Sequence, residues 1–150
     1  MKIDLPKHKK LILFDGVCNL CNSSVNFVIK NDSKGIFMFA PLQSKVGQWI
    51  IEKHHIDIST IDSILLYSHQ KPGLKIKSSA ALSIASKLSF PFNLMAIFFI
   101  VPSVIRDWVY DYIAKHRYRW FGKKTACMIP SEATKNRFFN SRSILLFKTF

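Results

Sequence analysis

Hydrophobic residues along the chain fall into short runs typical of buried strands and into the three-to-four spacing typical of helices. The first run, Leu11–Phe14, ends in Asp-Gly and predicts a buried strand followed by a turn. A helix is predicted to begin at Cys18 and to end near residues 31–35, where Asn, Asp, Ser and Gly cluster. The apolar side chains of this helix share one face, at Cys21, Val25, Val28 and Ile29.

The next segments repeat this alternation of strand and helix. Ile36–Ala40 is a second apolar run, and Pro41 stops it. Ser44 is placed to cap a second helix. Ile64–Tyr67 is continuously apolar, which is typical of a strand at the centre of a sheet. The core-facing residues of the second helix are predicted to be Val46, Trp49 and Ile50.

A hairpin followed by a third helix completes the predicted core. Leu74–Lys77 alternates apolar and charged residues, as expected for an edge strand. Ser78 or Ser79 is predicted to cap the helix that follows. The resulting order, β-α-β-α-β-β-α, begins with a right-handed parallel unit and is the order of a thioredoxin-like domain. We therefore predict an α/β fold of the thioredoxin-like sandwich type.

Two more helical patterns follow, over about residues 94–101 and 103–117. Both are predicted to pack on the same core as additional C-terminal helices. The domain, with this helical extension, is predicted to span residues 1–135. Residues 136–150 are predicted to be a tail that docks on the domain, touches a membrane or is loose. The residues that the second pattern presents are Ile105, Trp108, Val109 and Tyr112.

The composition fits one globular domain. At 150 residues, with 49% hydrophobic and 21% charged residues, the chain is long enough for a substantial core. Its longest apolar stretch, Leu94–Val101, is far shorter than the roughly 20 residues that a membrane-spanning helix needs. The apolar run near the N-terminus is too short for a secretory signal. These features predict a cytoplasmic protein.

The charge of the chain is strongly positive. Lys and Arg number 22 against 9 Asp and Glu, which gives a formal net charge of +13. This balance favours polyanions, so a basic adaptor that binds nucleic acid or an anionic membrane surface is an alternative function. The basic and aromatic segment Lys115–Lys124 would form the binding surface. The competing interpretation is a helix end whose cations suit the helix dipole and whose aromatic rings join the core.

Two of the three cysteines, Cys18 and Cys21, lie at the start of the first predicted helix. In a reducing compartment, such a pair is more often catalytic or metal-binding than structural. The pattern predicts that Cys18 lies at the exposed helix tip, where unpaired N–H groups favour a thiolate. Cys21 is predicted to be buried one turn further in. Cys18 would then attack a disulfide, and Cys21 would resolve the mixed disulfide.

Asp15 follows the first strand and precedes the helix start. Two compatible roles are open for its carboxylate. It either accepts and returns the proton of the buried thiol or caps the turn through backbone N–H groups. We predict that Asp15, Cys18 and Cys21 are the catalytic residues.

Other chemistries fit the motif less well. A structural zinc site needs four ligands, and only Cys127 and five scattered histidines accompany the pair. An aspartyl phosphotransferase would need a second aspartate two positions after the first, where Val17 stands. Cys127 is predicted to be an inert packed residue, with a reactive third thiol as the alternative. No metal and no organic cofactor is predicted.

The segment F-D-G-V-C-N-L-C, residues 14–21, resembles the signature of the DCC-type thiol-disulfide oxidoreductases, which are named for an Asp-Cys-Cys motif. The resemblance covers about residues 9–133 and implies a thioredoxin-like fold with disulfide oxidoreductase activity. It maps the motif onto Asp15, Cys18 and Cys21. Four later segments are similar to further landmarks of the family: Ala40–Ser44, Lys77–Ala81, Tyr118–Gly122 and Ala126–Pro130.

Two departures from thioredoxin itself concern the grip on the substrate and the reduction potential. Thioredoxins carry a cis-proline ahead of the third strand that helps to hold substrate peptide, whereas residues 59–63 contain no proline. That absence predicts a different grip on the substrate. The pair Asn19-Leu20 between the cysteines also differs from the Gly-Pro of thioredoxin, and this pair helps to set the reduction potential. The expected partners are a disulfide-containing substrate, either protein or small molecule, and an upstream electron donor.

Overall fold

The computed structural model describes residues 3, 5–57, 64–70, 73–123, 131–132 and 134–139. In this part of the chain, the strands are β1 (Lys10–Phe14), β2 (Phe37–Pro41), β3 (Leu65–Tyr67) and β4 (Leu74–Ile76). The α-helices are α1 (Asn19–Asn31), α2 (Lys45–Lys53), α3 (Lys77–Ala85) and α4 (Ser103–Phe121). Two 3₁₀-helices span Phe92–Ile100 and Lys135–Arg137.

The strands form one mixed sheet in the order β2-β1-β3-β4. β1 pairs in parallel with β2 and antiparallel with β3, and β3 pairs antiparallel with β4. α1 joins the parallel pair, and β4 leads directly into α3. The molecule is therefore a mixed α/β protein, and its described elements follow the predicted order β-α-β-α-β-β-α before the C-terminal helices.

β1 is the centre of the core because its side chains are buried on both faces of the sheet. Leu11 and Leu13 belong to the hydrophobic cluster that includes α2, and Ile12 and Phe14 belong to the cluster that includes α1 and α3. All four side chains are fully buried, and burial of each stabilises the fold by about 1.5–3 kcal/mol. The next residue, Asp15, is therefore held at the end of a rigid, buried strand.

The start of α2 follows the prediction. Ser44 Oγ accepts a hydrogen bond from the Gly47 N–H at 3.1 Å, so Ser44 caps the helix. Gly47 allows the helix to begin close to the sheet, since a Cβ there would lie 2.6 Å from the carbonyl oxygens of Pro41 and Leu42. This close approach brings the adjoining residue, Gln43, next to the end of β1.

The start of α3 differs from the prediction. The helix begins at Lys77 without a side-chain cap, so the prediction that Ser78 or Ser79 caps it is wrong. The Ser78 hydroxyl instead donates to the Asp107 carboxylate on α4. The Lys77 ammonium lies 3.0 Å from Asp111 Oδ2 on the same helix. Side-chain contacts with α4 thus fix the position of the start of α3.

α4 presents a face to the core that differs from the predicted one. Its buried residues are Ala114 and Arg117. The contacts of Asp107 and Asp111 with α3 turn the acidic side of α4 inward and leave its apolar side in solvent. The 3₁₀-helix Phe92–Ile100 also has no buried residue. The prediction was therefore wrong for four residues that are 45–70% exposed: Ile105, Trp108, Val109 and Tyr112.

The first residues of the predicted tail lie against the sheet. The Phe139 N–H donates to the Phe39 carbonyl at 2.7 Å, and the Phe139 side chain is buried. The Arg137 guanidinium donates to the Asp32 carboxylate. Docking on the domain therefore describes the tail as far as Phe139, while the domain boundary at 135 remains a prediction.

Several features of the sequence lie outside the described residues. These are Cys127, the proline-free segment 59–63 and the end of the tail, 140–150. Within the described ranges, no helix combines the length and the apolar character needed to cross a membrane.

Candidate active site

Cys18 is the N-cap residue of α1. Its backbone is extended, with φ −82° and ψ 122°, and its Sγ accepts a hydrogen bond from the Cys21 N–H at 3.4 Å. A sulfur at this position faces the unpaired N–H groups of the first helical turn. The prediction that the pair lies at the helix start is confirmed.

The predicted exposure of the two sulfurs is wrong. Cys18 is 0% exposed, whereas Cys21 is only half-buried. The end of α4 and the residues just after it cover the helix tip: Lys123 forms an isolated antiparallel bridge with Cys18. Next to it, Asn19 Nδ2 donates to the Phe121 carbonyl, 102 residues along the chain, at 2.9 Å. The periodicity of the sequence near the cysteines does not indicate that residues about 100 positions away cover Cys18.

Cys21 opens onto a cavity of about 620 Å³ that is lined by α1, α3, α4 and neighbouring residues. Burial and then the neighbouring sulfur of Cys18 raise the pKa of Cys21 to about 12, with Arg117 acting in the opposite direction. Cys21 is therefore a protonated thiol at neutral pH. The apolar lining of the cavity includes Leu20, Phe27, Val28, Ile84, Met95 and Ile113.

The carboxylate of Asp15 accepts four hydrogen bonds. Oδ1 accepts from the Val17 N–H at 3.2 Å and from Gln43 Nε2 at 3.0 Å. Oδ2 accepts from Arg117 Nη2 at 3.2 Å and from the Tyr118 hydroxyl. The contact with Val17 is the turn cap that was one of the two predicted roles.

The environment keeps Asp15 ionised. Burial alone would raise the pKa of Asp15, but hydrogen bonds from Tyr118, Gln43 and Val17, with the charge of Arg117, hold it below its ordinary value. A carboxylate with a lowered pKa is a weak base. Its contacts are therefore those of a turn cap and an ion pair, and the proton-transfer role stays a prediction.

Arg117 could not be singled out by its charge because it lies within the basic segment Lys115–Lys124. Arg117 is 4% exposed and ion-paired with Asp15, whereas Arg119 is exposed. A signal was present: Tyr110, Ala114 and Arg117 have the i, i+4, i+7 spacing of one helix face. All three line the cavity with Cys21.

Segments that resemble family landmarks meet at this site. Gln43, from the segment Ala40–Ser44, and Tyr118, from the segment Tyr118–Gly122, both donate to Asp15. Lys77, from a third segment, fixes α3 to α4. The resemblance thus pointed to residues that composition and periodicity did not identify.

Among the residues that the structure describes, no three His, Cys, Asp or Glu side chains come together as a possible metal site.

The chain matches known proteins over most of its length. The family model of the DCC1-like thiol-disulfide oxidoreductases matches residues 12–123. The chain is similar to the uncharacterized protein YuxK of Bacillus subtilis (strain 168), with 44% identity over 129 residues that cover 86% of this chain and 93% of that protein. It is also similar to a chloroplastic DCC family protein of Arabidopsis thaliana, with 35% identity over 120 residues, or 79% of this chain and 69% of the relative. No solved structure matches the chain.

Proposed function

The chain belongs to the DCC1-like thiol-disulfide oxidoreductase family, and we propose that it exchanges electrons with a disulfide substrate through Cys18 and Cys21. The observation that carries this proposal is the position of Cys18 Sγ at the N-cap of α1, 3.4 Å from the Cys21 nitrogen. A sulfur there faces the N–H groups of the first helical turn and is held beside the second cysteine, as dithiol exchange requires. The second thiol needed for an intramolecular disulfide lies in the same helical turn.

The sheet supports a thioredoxin-like assignment of the fold. Its parallel pair β1–β2 is extended by the antiparallel strands β3 and β4. The cysteines lie in and after the turn that joins the central strand β1 to α1. We propose that this fold holds the dithiol at the end of β1 and that Asp15 fixes both the turn and Arg117 beside it.

The proposed reaction is dithiol exchange of the protein-disulfide reductase type. The reduced pair transfers two electrons to a substrate disulfide, whose S–S bond breaks while a Cys18–Cys21 disulfide forms. A thiol donor then restores the pair. Both cysteines are free thiols, which suits a reducing compartment such as the cytoplasm.

Serine variants of each cysteine test this proposal. Reduced wild-type protein mixed with bis(2-hydroxyethyl) disulfide should lose two hydrogens by intact mass, and peptide mapping should locate the new bond between Cys18 and Cys21. Cys18→Ser and Cys21→Ser should each slow substrate turnover by roughly 100-fold or more, because the intramolecular disulfide cannot form. Cys127→Ser is the matched control and should behave as wild type. Equally slow reaction of wild type and both site variants would rule the proposal out.

Binding to an anionic membrane surface is a second candidate function, favoured by one surface. We call this surface the apolar face; its five residues are 61–82% exposed. Clustered exposed hydrophobic residues mark interaction sites, and the net charge of +13 complements anionic head groups. Exposed aliphatic side chains favour lipid over nucleic acid as the partner. The apolar face consists of Leu94, Ile97, Ile100, Val104 and Trp108.

Vesicle sedimentation tests the second candidate. Wild-type protein should sediment with phosphatidylglycerol vesicles and much less with phosphatidylcholine vesicles. The double variant Ile97→Ser/Trp108→Ser should bind the anionic vesicles at least roughly tenfold more weakly, because two large side chains no longer insert. Ile76→Ser, a change at a 45% exposed residue of β4, is the control. Unchanged sedimentation of the double variant would exclude the apolar face as the binding surface.

A further inference from the structure

We infer that the cavity beside Cys21 binds an uncharged, apolar disulfide and that Cys21 is the sulfur that exchanges with it. The inference rests on the proposed function and specifies the substrate class of the same site. It also exchanges the roles assigned from the sequence, because Cys21 meets the substrate and Cys18 resolves the mixed disulfide.

Access to the two sulfurs is the first argument. Cys18 is 0% exposed beneath the bridge to Lys123 and the hydrogen bond from Asn19 to Phe121. Cys21 lines the cavity. A molecule in the cavity therefore reaches the Cys21 sulfur while the end of α4 stays in place.

The size and lining of the cavity are the second argument. Its volume of about 620 Å³ lies within the range of about 300–1,000 Å³ that holds drug-sized molecules. Apolar residues from α1, α3 and α4 dominate the walls, among them Phe27, Ile84 and Ile113. Such walls favour an apolar ligand over a hydrated one.

The charged group and the tyrosine hydroxyl of the cavity already have protein partners, which is the third argument. Among the described lining residues, Arg117 carries the only charge, and Asp15 Oδ2 lies 3.2 Å from its Nη2. The Tyr110 hydroxyl accepts a hydrogen bond from the Ile64 N–H at 3.0 Å. A charged disulfide would therefore lose its hydration without gaining a counter-ion.

The reaction conserves atoms and electrons. The Cys21 thiol first gives its proton to water, and the resulting thiolate attacks one sulfur of R–S–S–R′. A Cys21–S–R bond forms while the R′ thiolate leaves and takes up a proton. Cys18 Sγ then loses its proton to water and attacks Cys21 Sγ, and the R thiolate leaves and takes up a proton. Two electrons have moved from the cysteines to the substrate, and a small thiol reductant later restores the dithiol.

Two alkyl disulfides of similar thiol acidity separate the effect of the cavity from intrinsic reactivity. Dibenzyl disulfide is apolar, whereas bis(2-hydroxyethyl) disulfide is small and hydrated. Single-turnover oxidation of reduced wild-type protein should be at least about tenfold faster with dibenzyl disulfide. In Cys18→Ser, a benzylthio adduct should accumulate on Cys21, as located by peptide mass mapping.

Filling the cavity tests where the substrate binds. Ala81 lines the cavity on α3, so Ala81→Phe should slow the reaction with dibenzyl disulfide by about tenfold. It should slow the reaction with bis(2-hydroxyethyl) disulfide less, because the smaller molecule occupies less of the cavity. Ala96→Phe, on the 3₁₀-helix and outside the cavity lining, is the matched control. Dibenzyl sulfide, which has no S–S bond, should compete with dibenzyl disulfide on wild-type protein and so tests the cavity without any substitution.

The outcomes distinguish this inference from the proposed function. If neither disulfide oxidises the wild-type pair, the proposed function itself fails. If both disulfides react equally fast and dibenzyl sulfide does not compete, dithiol exchange stands but the apolar substrate site is wrong. If the adduct forms on Cys18 in Cys21→Ser while Cys18→Ser traps none, substrate enters at Cys18 and the sequence-based assignment of roles is correct.

Discussion

Asp15 and Arg117 form a buried ion pair that holds the loop before Cys18 against α4. The two residues are 8% and 4% exposed, respectively. Removing one partner of such a pair destabilises the protein, because the other charge stays buried and loses the ion pair. The pKa of Asp15 is lower in the folded protein than its ordinary value of 3.8. The stability contributed by Asp15 is therefore fully present above about pH 4 and is lost as the pH falls through the lowered folded-state value.

Asp15→Asn should lower the free energy of unfolding by about 3 kcal/mol at pH 7, because the buried Arg117 loses its ion pair with Asp15. Urea denaturation at several pH values measures this loss. The variant should also show a weaker decrease in stability between pH 5 and pH 3 than wild type, since one titrating group is gone. Glu52→Gln, at an exposed position, is the isosteric control. Wild-type stability and pH dependence in Asp15→Asn would show that the pair contributes little.

Half of the candidate site could be predicted from the sequence because Asp15, Cys18 and Cys21 lie within one short segment. The loop and the first helical turn that hold them have local signals, namely an apolar run, Asp-Gly and a helical pattern. Arg117 and Tyr118 reach Asp15 from more than 100 positions away. The sequence around Asp15 does not indicate which distant side chains bind its carboxylate.

At the level of elements, the prediction worked where hydrophobic burial sets the pattern. β1 and β3 are buried apolar runs, and α2 begins at a serine cap, so each is visible in a short window of sequence. Their observed bounds differ from the predicted ones by about a residue, which is the usual uncertainty at element ends.

The prediction failed for α4 because polar contacts orient that helix. Asp107 and Asp111 bind the start of α3, and Arg117 binds Asp15, so the polar residues face inward. A pattern analysis that assigns the apolar side to the core necessarily selects the opposite face. The same contacts explain why Ser78 does not cap α3, since its hydroxyl bonds to Asp107.

At the scale of the whole molecule, the segment that includes Arg137 and Phe139 packs against the edge strand β2. Phe139 is buried, its N–H bonds to Phe39, and Arg137 reaches the buried Asp32. These contacts join residues about 100 positions apart. The predicted domain end at 135 would therefore remove side chains that belong to the core cluster.

Phe139→Ala should destabilise the protein by about 3 kcal/mol, since it deletes a buried ring from the core. A chain that ends at Lys135 should lose at least as much, because it also lacks Arg137. The midpoint of urea unfolding at constant slope measures both effects. Asn136→Ala, at an exposed neighbour, is the control. If the shortened chain unfolds at the wild-type midpoint, the boundary at 135 is correct and the contacts of Phe139 carry no net stability.

The bridge between Cys18 and Lys123 also has a consequence during synthesis. A ribosome makes the first helix long before it makes the residues that shelter the sulfur at its tip, and domains fold as their residues emerge. In the nascent chain the Cys18 thiol therefore stays uncovered while about 100 further residues are added. This takes roughly 5–20 seconds at the usual rates of translation. During that interval the sulfur is open to any oxidant or thiol reagent, and completion of α4 ends the exposure.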